Sequence, residues 1–178
     1  MFSRDPNLQL VVDHARHIIL NSGHDRAMAA GRRVFDRLAA GEGRSGAVAA
    51  ATLPVCGHVL PAVLADLAAR PSPLPELASA FAALEGHLAW YRRKTATPAD
   101  EPFYGGHGNA MLIGPGGLEE RDDVQVGVTV MSPGIVYPDH DHPPEEVYIA
   151  LSSGQWWNAA MDWTEPGVGG LIYNLQSG

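Results

Sequence analysis

The stretch Pro138-Asp139-His140-Asp141-His142-Pro143-Pro144-Glu145-Glu146-Val147-Tyr148 packs two imidazoles, four carboxylates and a phenol into eleven residues. His140 and His142, one residue apart, point the same way wherever the chain is extended, because side chains alternate with period two. Glu146 and Tyr148 share a parity with each other and, by count, with the two histidines. The Pro143-Pro144 pair turns the chain between them, so that parity is only suggestive. Val147-Tyr148-Ile149-Ala150-Leu151 is β-branched and aromatic and stops at Ser152-Ser153-Gly154, which predicts a strand. A His-x-His-x3-Glu cluster leading into a strand reads as three ligands for a divalent metal. Neutral imidazole plus carboxylate suits Fe, Mn, Ni, Co or Zn and leaves coordination positions open for a substrate. The competing reading is a polar loop with solvated histidines and acids; the spacing, the added acid and the strand behind them favour the metal.

The elements that must position this cluster lie in a chain of 178 residues, enough for one sizeable core or two small units. Hydrophobic content of 46% and a mean hydropathy of −0.07 describe a soluble globular protein. The net charge is −8, and Lys94 is the one lysine among twelve basic residues. That balance argues against a nucleic-acid surface, which needs a basic stripe. The single cysteine, Cys56, forms no internal disulfide, which fits a reducing, cytoplasmic compartment. No signal-peptide pattern is evident, and no apolar run approaches the ~20 residues of a membrane span.

Composition shifts near residue 97. Residues 1–97 are rich in Ala, Leu, Arg and His and read as a helical region. Residues 98–178 are rich in Gly, Pro and Val and read as a β-barrel on which the helices pack. Leu8, Val11, Val12, Ala15, Ile18 and Ile19 form a helical stripe over Asn7–Asn21. A second helix is expected over Asp25–Ala40, closed by Gly41. The stretch from Gly43 to Ala51 is weakly patterned. Pro54–Ala69 reads as a third helix, with Pro61 tolerated if the helix begins near His58. Glu76–Lys94 is expected as one long helix, with Leu77, Phe81, Leu84, Leu88 and Tyr91 on one face and Arg92, Arg93 and Lys94 in its last turn. His14, His17, His24, His58 and His87 lack ligand-type partners at useful spacing and read as surface or core histidines.

Past Phe103 the texture is antiparallel β. Gly105-Gly106-His107-Gly108 reads as a flexible lead-in. Strands are expected at Ala110–Ile113, Val124–Met131, Val147–Leu151, Gln155–Ala160 and from Gly170 to Asn174. Short strands at near-even spacing suggest a small barrel or jelly roll. The fold class expected is therefore α+β, mainly β, with a helical N-terminal region.

Gly134-x5-His140-x-His142-x3-Glu146, followed by a strand and Gly154, resembles the first cupin motif. Tyr137-Pro138-x-His140-x-His142-Pro143-x-Glu145-Glu146-Val147-Tyr148, then Gln155-Trp156-Trp157 and the Glu165-Pro166-Gly167 turn, is similar to the cupin-type dimethylsulfoniopropionate lyases. So are the segment His107–Gly117 and the helical first half, so the resemblance spans nearly the whole chain. It implies a bacterial metal-dependent lyase that splits this sulfonium zwitterion into dimethyl sulfide and acrylate. It implies His140, His142 and Glu146 as metal-site residues holding Zn, Fe or Mn. Tyr148 is implied as metal-adjacent phenolate or base, and Tyr137 as the alternative base or a substrate clamp. A further histidine from a second cupin motif is expected soon after Tyr173-Asn174. Asn174 is instead followed by Leu175-Gln176-Ser177-Gly178, and the expectation is that a short segment and the final strands are lacking.

The chemistry required is consistent with these residue types. Elimination removes a proton α to a carboxylate while dimethyl sulfide leaves the β carbon. A metal on the carboxylate stabilises the developing charge, and a nearby cation favours phenolate. Aromatic faces bind a sulfonium at ~0.5–2 kcal/mol each. Trp156, Trp157, Trp163 and Tyr137 supply such faces, with Trp156 and Trp157 on opposite sides of their strand. One alternative shares the metal, another cupin enzyme such as a dioxygenase or isomerase acting on a small acid; a second is a non-enzymatic cupin, a sensor or storage-type module binding a small ligand. Homodimerisation is compatible with either; no nucleic-acid or membrane partner is expected.

Overall fold

The computed structural model describes residues 2–41, 43–138, 144–158 and 161–175. Helix α1 (Pro6–Leu20) starts where Asp5 caps it, its carboxylate accepting from the backbone N–H of Asn7 at 2.8 Å and of Leu8 at 3.1 Å. These bonds satisfy two of the donors that a helix start leaves without partners. Asp5→Ala is expected to cost about 1 kcal/mol, read as a lower urea midpoint; an unchanged midpoint would refute the cap. Leu8, Val11, Val12 and Ile19 are buried, as the stripe predicts. Helix α2 (Asp25–Ala40) follows the expected bounds. It lies close against α1: a Cβ at Gly31 would stand 2.6 Å from the Ile19 side chain, so glycine is what lets the two helices meet.

Strand β1 (Arg44–Ser45) occupies the weakly patterned stretch after α2. Helix α3 (Pro54–Ala68) begins at Pro54, four residues before His58, so Pro61 is interior and not in the first turn. Pro61 leaves the Gly57 carbonyl without its helical donor. Gly57 and Pro61 both face solvent, which leaves that carbonyl open to water.

Helix α4 (Leu74–Glu85) is shorter than expected and does not reach Lys94. After a turn over Gly86-His87 the chain runs extended from Ala89. Trp90 N–H donates to Ala51 O at 2.8 Å, and Tyr91 exchanges backbone bonds with Asn109 at 2.9 and 2.8 Å. Leu88 and Trp90 are buried and Tyr91 is exposed, a period of two. The spacing 84, 88, 91 suits a helix, but sheet pairing supplies this backbone with partners that the helix does not. Arg92, Arg93 and Lys94 therefore sit on a loop beside the sheet rather than in a last helical turn.

A short helix, α5 (Phe103–Gly106), leads directly into β2 (His107–Ile113), where a flexible lead-in was expected. With β3 (Glu119–Glu120) and β4 (Val126–Met131), these strands form a mixed sheet in the order β1-β3-β2-β4. β5 (Glu146–Ile149) pairs with β8 (Leu171–Asn174), and β6 (Trp156–Asn158) with β7 (Met161–Thr164), each antiparallel. The expectation of helices plus short strands holds. Among the described residues the strands form one four-stranded sheet and two ribbons, not a closed barrel. No described helix is long and apolar enough to cross a membrane.

One core joins helices and sheet. Leu8, Val12, Phe35, Leu60, Leu77 and Phe81 meet Leu112, Ile113, Val124 and Val130. Each such side chain contributes roughly 1.5–3 kcal/mol by leaving water. On β2, Ala110 and Leu112 enter this core, so His107 and Asn109 lie on the opposite face by alternation.

Candidate active site

The two adjacent acids at the start of β5 are positioned differently, Glu145 just before the strand and Glu146 as its first residue. Glu145 turns toward α2: its carboxylate accepts from Arg33 Nη2 at 2.8 and 2.6 Å and from the Tyr173 hydroxyl at 2.6 Å. The Tyr173 hydrogen bond and then the Arg33 guanidinium hold the Glu145 carboxyl below its usual range. Glu145 therefore docks the strand on the helix. Glu146 lies on the other face with Tyr148, whose hydroxyl donates to Glu146 Oε2 at 2.7 Å. Asn174 stands opposite Glu146 across the ribbon and accepts from Asn158 Nδ2 at 2.9 Å. His140 and His142 lie outside the described residues.

Of the three tryptophans proposed to meet a sulfonium, Trp156 lies against Tyr148 with ring centroids 5.0 Å apart. Trp157 alternates to the other side of β6 and is 49% exposed; Trp163 on β7 is 62% exposed. The structure thus brings Trp156 to the Glu146–Tyr148 pair and leaves Trp157 and Trp163 facing outward.

Tyr137 is half-buried in a nest built by β2 and the loop after Tyr91. Its ring meets Phe103 edge-on at 4.9 Å, and His107 at 6.2 Å. The Arg93 guanidinium lies 5.7 Å from its centroid. Asn109, whose Oδ1 accepts from the Thr129 hydroxyl at 2.7 Å, hydrogen-bonds the Tyr137 phenol. His107 is fully buried and stacks on Phe103 at 3.8 Å. Its Nδ1 faces Phe103 O at 2.6 Å, while its Nε2 accepts from Arg93 N–H at 2.9 Å. One nitrogen beside a carbonyl and the other accepting assigns the proton to Nδ1. Arg93, Asn109 and His107 were not picked out as site residues from the sequence. The shared parity of His107 and Asn109 was the available signal, and it is readable only once β2 is known to start at His107.

Burial pushes the Tyr148 phenol far up, and the charge and hydrogen bond of Glu146 push it further. Burial also raises Tyr137, while Arg93 and the Asn109 hydrogen bond pull it back. Glu146 and Tyr148 each act on the charge of Tyr137 or feel it, so the three form one electrostatic neighbourhood. A phenol raised above its unfolded value of ~10 contributes stability that is whole below that pH and lost as pH rises past it. The urea-unfolding free energy is therefore expected to fall above about pH 10, less steeply in Tyr148→Phe. Parallel pH profiles for parent and variant would count against the buried Tyr148.

Among the described residues no three His, Cys, Asp or Glu side chains come together. The described donors are the Glu146 carboxylate and the Tyr148 oxygen, 2.7 Å apart on one strand face. Two oxygen donors so close, on a strand reached four residues after His142, fit the donor set of a Zn, Fe or Mn site completed by imidazole.

A sequence profile described as dimethylsulfoniopropionate (DMSP) lyase matches residues 26–177. A chain from the crystal structures of the DMSP lyases RdDddP and RnDddQII superposes with a TM-score of 0.67 at 23% identity, over 94% of this chain and 80% of that one. The crystal structure of the DMSP lyase DddQ from Ruegeria pomeroyi DSS-3 superposes with a TM-score of 0.68 at 20% identity, over 97% and 82%. At such identities the likeness speaks for a shared fold. No curated protein matches the sequence.

Proposed function

The chain belongs to the dimethylsulfoniopropionate lyase family, enzymes acting on that zwitterion, and from that premise we propose that it releases dimethyl sulfide and acrylate by metal-dependent, base-catalysed β-elimination. The observation that carries the reading is the Tyr148–Glu146 contact at 2.7 Å with Tyr137 in the same electrostatic neighbourhood. In this reading residues 98–178 supply a cupin-type barrel and residues 1–97 a helical region packed on it.

The metal would be held by Glu146, His142 and His140, with Tyr148 beside it as a further oxygen donor. When bound, a divalent Zn, Fe or Mn ion supplies Lewis acidity that stabilises negative charge developing next to the substrate carboxylate. Tyr148 is assigned as the base. Its oxygen adjoins a carboxylate that would hold the cation, and a bound cation would favour the phenolate against the neutral form that burial and Glu146 impose. The phenolate takes the proton from the carbon α to the carboxylate. The C–H electron pair becomes the new C=C bond, the C–S bond breaks, and its electrons leave with neutral dimethyl sulfide. Tyr137, held by Phe103 and Asn109, orients the substrate. The ring face of Trp156 lies beside Tyr148, where it can meet the sulfonium.

The direct test is headspace dimethyl sulfide from metal-loaded protein given DMSP, with acrylate measured in parallel. Equimolar sulfide and acrylate, both abolished by a chelator and restored by metal, is the expected result. Metal demonstrably bound and no sulfide released would refute it.

A further inference from the structure

Resting on that reading, we infer that the Arg93 guanidinium is a substrate-binding group that takes the carboxylate end of the zwitterion. Arg93 is half-buried, and its side chain forms no ion pair and no hydrogen bond among the described residues. The other well-shielded arginines are satisfied. Arg4 pairs with Glu119, Arg121 with Asp123 and Glu119, and Arg92 donates to Tyr104 O at 2.8 Å. A partly desolvated cation without a counter-ion is costly to keep and becomes favourable when an anion arrives. A guanidinium also matches a carboxylate with two parallel donors.

The backbone holds this cation in place. Arg93 N–H donates to the buried His107 ring at 2.9 Å, and that ring is anchored at Phe103 O. His107 and Phe103 also pack on Tyr137, so one buried unit sets both Arg93 and Tyr137. The Arg93 guanidinium lies 5.7 Å from the centroid of the Tyr137 ring, beside the phenol that orients the substrate in this reading. A carboxylate has two oxygens, so one can meet the Arg93 guanidinium while the other faces the metal that Glu146 would help hold. Arg93 acts on orientation and affinity; it moves no proton.

The test uses metal-loaded full chain and the probe propionate, with propionamide as the neutral control, read by saturation-transfer NMR. Parent protein is expected to prefer propionate. Arg93→Gln is expected to weaken propionate binding about tenfold, the loss of a charge-assisted hydrogen bond, with propionamide unchanged and Arg93→Lys intermediate. A second readout needs no variant: propionate should slow phenylglyoxal modification at Arg93, mapped by peptide mass. Unchanged propionate binding in Arg93→Gln, or modification of Arg93 indifferent to propionate, would overturn the assignment. Both readouts are independent of turnover, so an absence of sulfide from the parent would refute the lyase mechanism without deciding Arg93.

Discussion

Tyr148→Phe is expected to keep its fold and lose dimethyl sulfide production by ~10²–10⁴-fold, the range a positioned general base supplies. The change removes one oxygen and leaves the ring against Trp156, so packing is preserved. It also frees Glu146 Oε2 of the phenol that donates to it. Tyr137→Phe is expected to raise KM more than it lowers kcat, because Tyr137 orients the substrate and does not take the proton. Steady-state kinetics on both variants, with metal content measured, separates the roles. A Tyr148→Phe enzyme retaining most of its kcat with full metal occupancy would remove Tyr148 as the base.

Glu119→Ala is expected to destabilise the protein by about 3–5 kcal/mol, the cost of removing one member of a buried ionic cluster. Glu119 is fully buried. Its Oε1 accepts from Arg4 Nη2 at 3.0 Å and stands 3.7 Å from Arg121 Nη1. Arg121 in turn donates to Gly41 O at 3.0 Å and Arg37 O at 3.1 Å, the end of α2. The cluster thus ties the N-terminal segment, the α2 C-terminus and β3 together. Removing the carboxylate leaves the shielded Arg4 guanidinium without its counter-charge, while Arg121 keeps only Asp123. It also opens space against Gly43, which packs so closely that a Cβ there would collide with the Glu119 side chain. Urea denaturation of parent and variant measures the effect; a loss under about 1 kcal/mol, typical of an exposed pair, would show the cluster to be solvated.

The helices α1 and α2 and the strands around the motif were legible because their signal is local. A stripe at helical spacing, or alternation bounded by glycine and proline, needs no partner to be recognised. The parity of Glu146 and Tyr148 belongs to the same class: residues two apart on a strand share a face, and the 2.7 Å contact follows. The C-terminal half of the expected Glu76–Lys94 helix failed because Leu84, Leu88 and Tyr91 satisfy a helical period, while Trp90 satisfies an extended one. Pairing with Ala51 and Asn109, far away in sequence, selected the second.

The sequence by itself determined which residue types gather at the motif, the strand that carries Glu146 and Tyr148, and the family to which the chain belongs. Only the tertiary structure decided which of two adjacent acids faces the phenols and which of the tryptophans joins them. Glu145 is drawn to Arg33 on α2, across 112 residues of chain, and Trp156 rather than Trp163 meets Tyr148. It also decided that Arg93 leaves the helix and stands over Tyr137. Those outcomes depend on charges and hydrogen-bonding groups brought together from distant segments. Local pattern carries no term for such partners until the core and the sheet have set their positions.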